Sequence, residues 1–129
     1  MILLDTHVVV WLQREPRKLS RVAEAAIRRA RSSGSLAVSA ITLVELAALI
    51  NRRRLRTMAT VEGTVRQFVE DLEILPLTSE IAIVTSHFPP DFPSDPMDRI
   101  IAATARAEGI SLVTADERIQ ACQLVKTIW

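Results

Sequence analysis

One cysteine, Cys122, is all the chain contains, which excludes an internal disulfide and makes a reducing cytoplasm the expected compartment. Long apolar runs are missing too. The longest, Val8–Leu12 and Leu46–Ile50, have five residues each, against the ~20 that a membrane-spanning helix needs. No basic stretch precedes the first apolar residues and Asp5 interrupts them, so a secretory leader is not expected. There is no His/Cys cluster of the kind that binds zinc. Internal repeats, low-complexity tracts and a linker long enough to divide the chain are likewise absent. No membrane partner is expected.

What is present is an ordinary globular mixture. The 129 residues are 49% hydrophobic and 24% charged, enough apolar material for a buried core and the right length for a single domain, residues 1–129. The net charge of +1 conceals an asymmetry: residues 14–56 carry a balance of +8 and residues 57–129 a balance of −6. A basic segment beside an acidic one suits a protein that attracts a polyanion and keeps carboxylates for a metal, although solvated helix faces produce the same counts.

Punctuation along the chain predicts alternating strands and helices. Met1–Leu4 reads as a buried strand stopped by Asp5-Thr6, followed by helical residues through Val8–Leu12. Ser20 is a plausible N-cap for a helix over 21–31 with Val22, Ala25, Ala26 and Ile27 inward. Leu36–Val38 is a second strand, and Ser39 or Thr42 caps a helix running to about Arg54. In 60–72, Val61, Val65, Phe68, Val69 and Leu72 recur at helical spacing. Ile74–Leu77 is an edge-strand candidate because of Pro76, and 78–86 a short helix. Prolines 89, 90 and 93 mark a loop before a helix over 95–108, which Gly109 ends. Ser111–Thr114, a helical turn at 116–119 and a strand at 124–128 complete the chain. Such alternation implies an α/β fold, a mainly parallel sheet covered by helices on both faces, with ligands at the carboxyl ends of the strands.

Four acidic residues fall at that edge: Asp5 after the first strand, Glu45 early in the third helical segment, Asp98 in the first turn after the proline loop, and Asp116 after Ser111–Thr114. Carboxylates that converge repel unless a cation sits among them, and hard oxygen donors suit Mg²⁺ or Mn²⁺. Structural roles compete. Thr42-Leu43-Val44-Glu45 matches a capping box, although Glu45 shares its face with Ile41, Ala48 and Leu49. Asp95-Pro96-Met97-Asp98 reads as N-cap, N1, N2 and N3, which gives Asp95 a capping role and leaves Asp98 as the ligand candidate. Asp116 is placed to cap the following turn. Other candidates have more ordinary readings. His7 suits packing near the sheet as well as substrate contact; Thr6 and Thr114 suit caps as well as bonds to the carboxylates. Arg99 is a partner for Asp95, Glu45, a phosphate or water. Arg52–Arg54 and Arg56 suit a phosphate backbone or a solvated helix end. Cys122 and Trp129 read as packing residues.

Four stretches in order, Ile2-Leu3-Leu4-Asp5-Thr6-His7 with Trp11-Leu12, Val38–Leu46, Asp95–Ala105 and Leu112–Asp116, give the chain a resemblance to the PIN-domain family, and within it to the VapC-like toxins of bacterial type II toxin–antitoxin systems. The resemblance covers nearly the whole chain. It implies a five-stranded parallel α/β/α sandwich and a Mg²⁺- or Mn²⁺-dependent endoribonuclease that hydrolyses RNA phosphodiester bonds. It carries over Asp5, Glu45, Asp98 and Asp116 as the acidic, metal-binding active site. A small antitoxin protein and a homodimer are the implied partners. A PIN nuclease of RNA processing and a non-catalytic PIN-like RNA-binding module remain as alternatives. A phosphoacceptor receiver domain would need paired acids after the first strand and a lysine beyond a late strand, whereas Asp5 stands alone and Lys126 lies within the last predicted strand.

Overall fold

The computed structural model describes all residues, 1–129. Its strands are β1 (Ile2–Leu4), β2 (Leu36–Ser39), β3 (Glu73–Leu75), β4 (Ser111–Val113) and β5 (Thr127–Ile128). Its helices are α1 (Thr6–Arg14), α2 (Arg21–Ser32), α3 (Ala40–Asn51), α4 (Val61–Val69), α5 (Ser79–Val84), α6 (Pro96–Glu108) and α7 (Glu117–Gln120). The strands form one sheet in the order β3-β2-β1-β4-β5, every neighbouring pair parallel. Leaving β1 in both directions places β2 and β4 on either side of it, so the chain reverses its winding there. In an open parallel sheet that is where a crevice forms at the carboxyl edge.

Two cores cover the two faces, and the two-residue side-chain period of the strands sorts residues between them. Leu3, Ala37 and Leu112 face α5, α6 and α7, packing with Ile81, Ile101, Ala102, Ala105 and Ile119. Leu4, Leu36, Val38 and Val113 face α1 to α4, packing with Val8, Ile27, Leu46 and Phe68. Alanines at 102, 103 and 105 of α6 are buried, and their small side chains let this helix lie close on the sheet.

Caps fix most helix starts. Ser20, Ser39, Thr60, Thr78 and Asp95 each accept a backbone N–H of the following turn. Some expectations shift. Within α2 the inward residues are Ala23 and Ile27, while Val22 is exposed: the helix turns its 23/27 stripe to the core and leaves Val22 a hundred degrees off it. Helix α3 stops at Asn51 because Arg53 takes a left-handed conformation with φ 56°. Strand β3 ends at Leu75, before Pro76, and lies at the sheet edge as proline requires.

Helix α6 ends at Gly109, φ 67°, with Ile110 N–H donating to the Ala105 carbonyl at 3.0 Å. A Cβ there would meet nothing within 4 Å, so only backbone strain opposes substitution. Gly109→Ala should therefore lower stability by about 1 kcal/mol, read as a fall in thermal midpoint with an unaltered circular dichroism spectrum.

Candidate metal centre

The acidic residues reach the carboxyl edge by separate routes. Asp5 is the first residue beyond β1 and the N-cap of α1, where its Oδ1 accepts the Thr6 N–H at 2.8 Å. Asp98 stands in the first turn of α6. That helix runs back along the sheet, so its start lies where the strands end. Glu45 lies in the second turn of α3; the cap of that helix is Ser39, which accepts from Ile41 N–H at 3.3 Å. A capping box at Thr42 is thereby set aside, and Glu45 has no capping duty.

Two threonine hydroxyls hold the carboxylates and a third lies against one of them. Thr114 Oγ1 donates to Asp5 Oδ2 at 2.7 Å and accepts the Asp116 N–H at 3.1 Å. Thr6 Oγ1 donates to Glu45 Oε1 at 2.7 Å, with the Thr42 hydroxyl 3.1 Å away. All three threonines are at most 1% exposed. Through them Asp5, Glu45 and the backbone of Asp116 belong to one hydrogen-bonded framework. The sequence suggested Thr6 and Thr114 only as alternatives to caps. Thr42 was assigned to a cap alone, and no feature of the sequence distinguishes it, because the Thr6–Thr42 contact bridges 36 residues.

Electrostatics show that the acids share a field. Burial raises the Asp5 carboxyl above its ordinary range against the opposing hydrogen bond from Thr114, the nearby His7 and the Thr6 N–H, and Asp116 adds to the rise. Burial also raises Glu45, partly offset by the Thr6 hydrogen bond, with Asp5 and Asp95 pushing it further up. Asp98 is pushed up to about 6, first by burial and then by the negative charges of Asp5, Asp95, Glu45 and Asp116. No lysine or arginine neutralises Asp5, Glu45 or Asp98. The three ion pairs of the protein are Lys18–Glu15, Arg28–Glu24 and Arg118–Asp116.

The remaining candidates separate from this group to different degrees. Asp95 caps α6, accepting the Met97 N–H at 2.9 Å. Asp116 caps α7 through Oδ1, accepting from Arg118 and Ile119, while its Oδ2 lies 3.7 Å from the Arg118 guanidinium. Arg99 pairs with none of the acids; it donates to the Thr85 carbonyl at 3.2 Å and lies over the Phe92 ring. His7 is exposed and not packed against the sheet, because α1 turns Val8 and Val9 inward instead. Cys122 is half-buried against the α5–α7 core. A cavity of about 850 Å³ lies elsewhere, at the opposite ends of α1 and α3, where Arg14, Arg53 and Arg56 line it.

As they stand, no three His, Cys, Asp or Glu side chains form a group that would enclose an ion. A magnesium-type ion does not require such a cage. It keeps several waters and is held by one or two carboxylates together with phosphate oxygens. An all-oxygen donor set with three buried or half-buried carboxylates and no paired lysine or arginine fits that chemistry.

A PIN domain profile matches residues 2–123 of the chain. Ribonuclease VapC22 of Mycobacterium tuberculosis (strain ATCC 25618 / H37Rv) is 37% identical over 130 residues, covering 99% of this chain and 98% of the relative. Among solved structures, VapBC2 from Rickettsia felis bound to a promoter DNA fragment superposes with a TM-score of 0.75 at 18% identity, covering 98% of this chain and 97% of that one. DNA-bound VapBC from Salmonella typhimurium gives 0.73 at 21% identity, covering 98% and 95%. At these identities the two structures speak to the fold.

Because the raised carboxyls bind protons more tightly folded than unfolded, they favour the folded protein at low pH, and that contribution is lost as pH climbs. For Asp98 the loss runs from its unfolded value near 3.8 to about 6 and is complete above. Metal-free Asp98→Asn should therefore melt above the metal-free wild type at pH 7, with the gap closing toward pH 4. Differential scanning fluorimetry in EDTA across that range is the measurement. A gap that is constant with pH would show that neither burial nor the neighbouring acids raise Asp98.

The hydroxyl of Thr114 gives a second test. Thr114→Val keeps the shape and leaves Asp5 Oδ2 without its donor, at an expected cost of about 1–3 kcal/mol. Chemical denaturation should register it.

Proposed function

The chain belongs to the PIN-domain family, and we propose that it is a Mg²⁺- or Mn²⁺-dependent endoribonuclease, the toxin of a type II toxin–antitoxin pair. The observation that carries this reading is the gathering of Asp5, Glu45 and Asp98 at the carboxyl edge with no lysine or arginine paired to them. The 37% identity to a named ribonuclease over the full chain supports it. Residues 1–129 act as one domain in this reading.

Asp5 and Asp98 would hold the ion, with Glu45 beside them. Asp116, whose Oδ1 is committed to the α7 cap, would complete the set through water. A divalent ion bound there supplies a Lewis acid for the phosphate and a lowered pKa for an attacking water. The protein's own part is positional. Thr114 and the Thr6 N–H fix both oxygens of Asp5 before any ion arrives. Thr6 orients one oxygen of Glu45 and leaves the other available. Asp98, poised near 6, changes protonation close to neutral pH, so ion binding should weaken as pH falls through that value.

A small antitoxin protein is the partner this reading implies, since solved structures of the same fold are VapBC complexes. Homodimerisation has available surface in the exposed apolar side chains Val44, Ile74, Leu77 and Ile83. The chain has no helix long and apolar enough to cross a membrane, and a cytoplasmic location goes with an RNA substrate.

Asp5→Asn and Asp98→Asn should each reduce RNA cleavage by at least about a hundredfold, since each removes a ligand charge at nearly constant size. Asp95→Asn should keep activity within a few-fold, asparagine being as good an N-cap. The assay is cleavage of a labelled RNA in Mg²⁺ or Mn²⁺. Near wild-type cleavage by either of the first two variants would sink the proposed centre.

A further inference from the structure

Both tryptophans of the chain and one of its two histidines form a single row at the carboxyl edge. His7 and Trp11 are four residues apart on α1 and share a face, their ring centroids 6.1 Å apart. Trp129 follows β5, which runs parallel to β4 in register Val113↔Ile128; it therefore leaves the sheet at the same edge as Thr114. Its ring centroid lies 6.0 Å from that of Trp11. The Lys18 ammonium lies 5.6 Å from the Trp11 ring centroid. His7 is exposed, and both tryptophans are half-buried, one part in the α1–α4 core and the rest open. The row begins two residues from Asp5.

We propose that His7, Trp11 and Trp129 form a stacking platform for the bases of a single RNA strand. This rests on the ribonuclease reading and adds how the substrate is held. An acidic centre repels a polyanion, so the affinity must come from outside it. The arginine-lined cavity cannot supply it next to the cut, because Arg14 lies a helix length, about 12 Å, from Thr6 along α1. The aromatic row starts beside the carboxylates, at His7, whose charge acts on Asp5 and Glu45. Stacking on aromatic rings tolerates any base and is the usual device for holding single strands. A base on the row would leave its phosphate near the edge where Asp5 lies.

The chain has two tryptophans and no tyrosine, so its emission reports on this row alone. The experiment titrates the full-length protein in EDTA with an unstructured RNA dodecamer and with an abasic ribose-phosphate strand of equal length. Tryptophan emission and filter binding are followed at several salt concentrations. Base-bearing RNA should change the emission and the abasic strand should not. Trp129→Ala and His7→Ala should each weaken RNA binding several-fold to about tenfold, and Trp129→Phe should restore most of it. The slope of log affinity against log salt should stay as in the wild type, since no phosphate contact is removed. Unchanged RNA affinity in Trp129→Ala would overturn the proposal, as would an equal emission response to the abasic strand. Loss of a co-purifying protein from Trp129→Ala with RNA affinity intact would reassign the row to a protein interface and also overturn it. If the wild type cleaves RNA in Mg²⁺ but passes none of these tests, the platform falls and the ribonuclease reading stands. If it neither binds nor cleaves RNA, both fall.

Discussion

A carboxylate taken out of water with no lysine or arginine paired to it has to be held by hydrogen bonds, and Asp5, 7% exposed, is held by two. One comes from its own helix, through the Thr6 N–H; the other comes from Thr114, 109 residues away in sequence and adjacent in space only because β1 and β4 pair. The sheet order is thus a condition of the site. Asp5 ends the central strand, and each neighbour contributes a residue that acts on it or beside it: β4 through Thr114, β2 through α3 and Glu45. A slip of β1 against β4 would remove the Thr114 hydroxyl from Asp5. It would also turn Leu4 and Leu3 to the wrong cores. Packing and site geometry therefore enforce the same register.

Threonine suits these positions for a reason that serine would not meet. Thr6, Thr42 and Thr114 are completely enclosed, so their methyl groups fill space while their hydroxyls make the bonds. A β-branched side chain is also stiff at χ1, which limits how far the hydroxyl can swing. The carboxylates are thus held against mutual repulsion by rigid neutral donors. Hydrogen bonds to the charged form lower an acid's pKa, yet burial still prevails at Asp5 and Glu45. The framework positions these acids and does not neutralise them.

Much of this was legible in the sequence where the determinants are local. Asp95-Pro96-Met97-Asp98 separated a capping aspartate from a free one, and the structure gives Asp95 the cap. Ser20 and Gly109 marked helix ends because capping chemistry acts within a few residues. Strand alternation with helices gave the layers, and the winding around β1 follows from the chain reversing there. The failures are of two kinds. The inward face of α2 went wrong because alanine and valine differ too little in a short helix for pattern alone to set its rotation; packing of Ala23 and Ile27 sets it. The Thr6–Glu45 and Thr114–Asp5 bonds span 39 and 109 residues, and threonine at a strand end is equally at home as a local cap. Long-range partners of that sort have no local signal.

No lysine or arginine is disposed to neutralise these three acids. A guanidinium among Asp5, Glu45 and Asp98 would pair with them, lower their pKa values and make an ion redundant. The sequence offers an arginine next to Asp98 itself, yet Arg99 is tied to the Thr85 carbonyl and lies over Phe92. Arg118 sits on Asp116, the acid already committed to a cap. Arg14, Arg53 and Arg56 gather at the far ends of α1 and α3. Each nearby arginine is thus occupied with a carbonyl, an aromatic ring or a capping residue, and the three remaining acids keep their charge deficit. That deficit raises Asp98 to about 6 and costs stability in the metal-free protein. In the reading proposed above, a divalent cation would relieve it and leave room in the crevice for a phosphate.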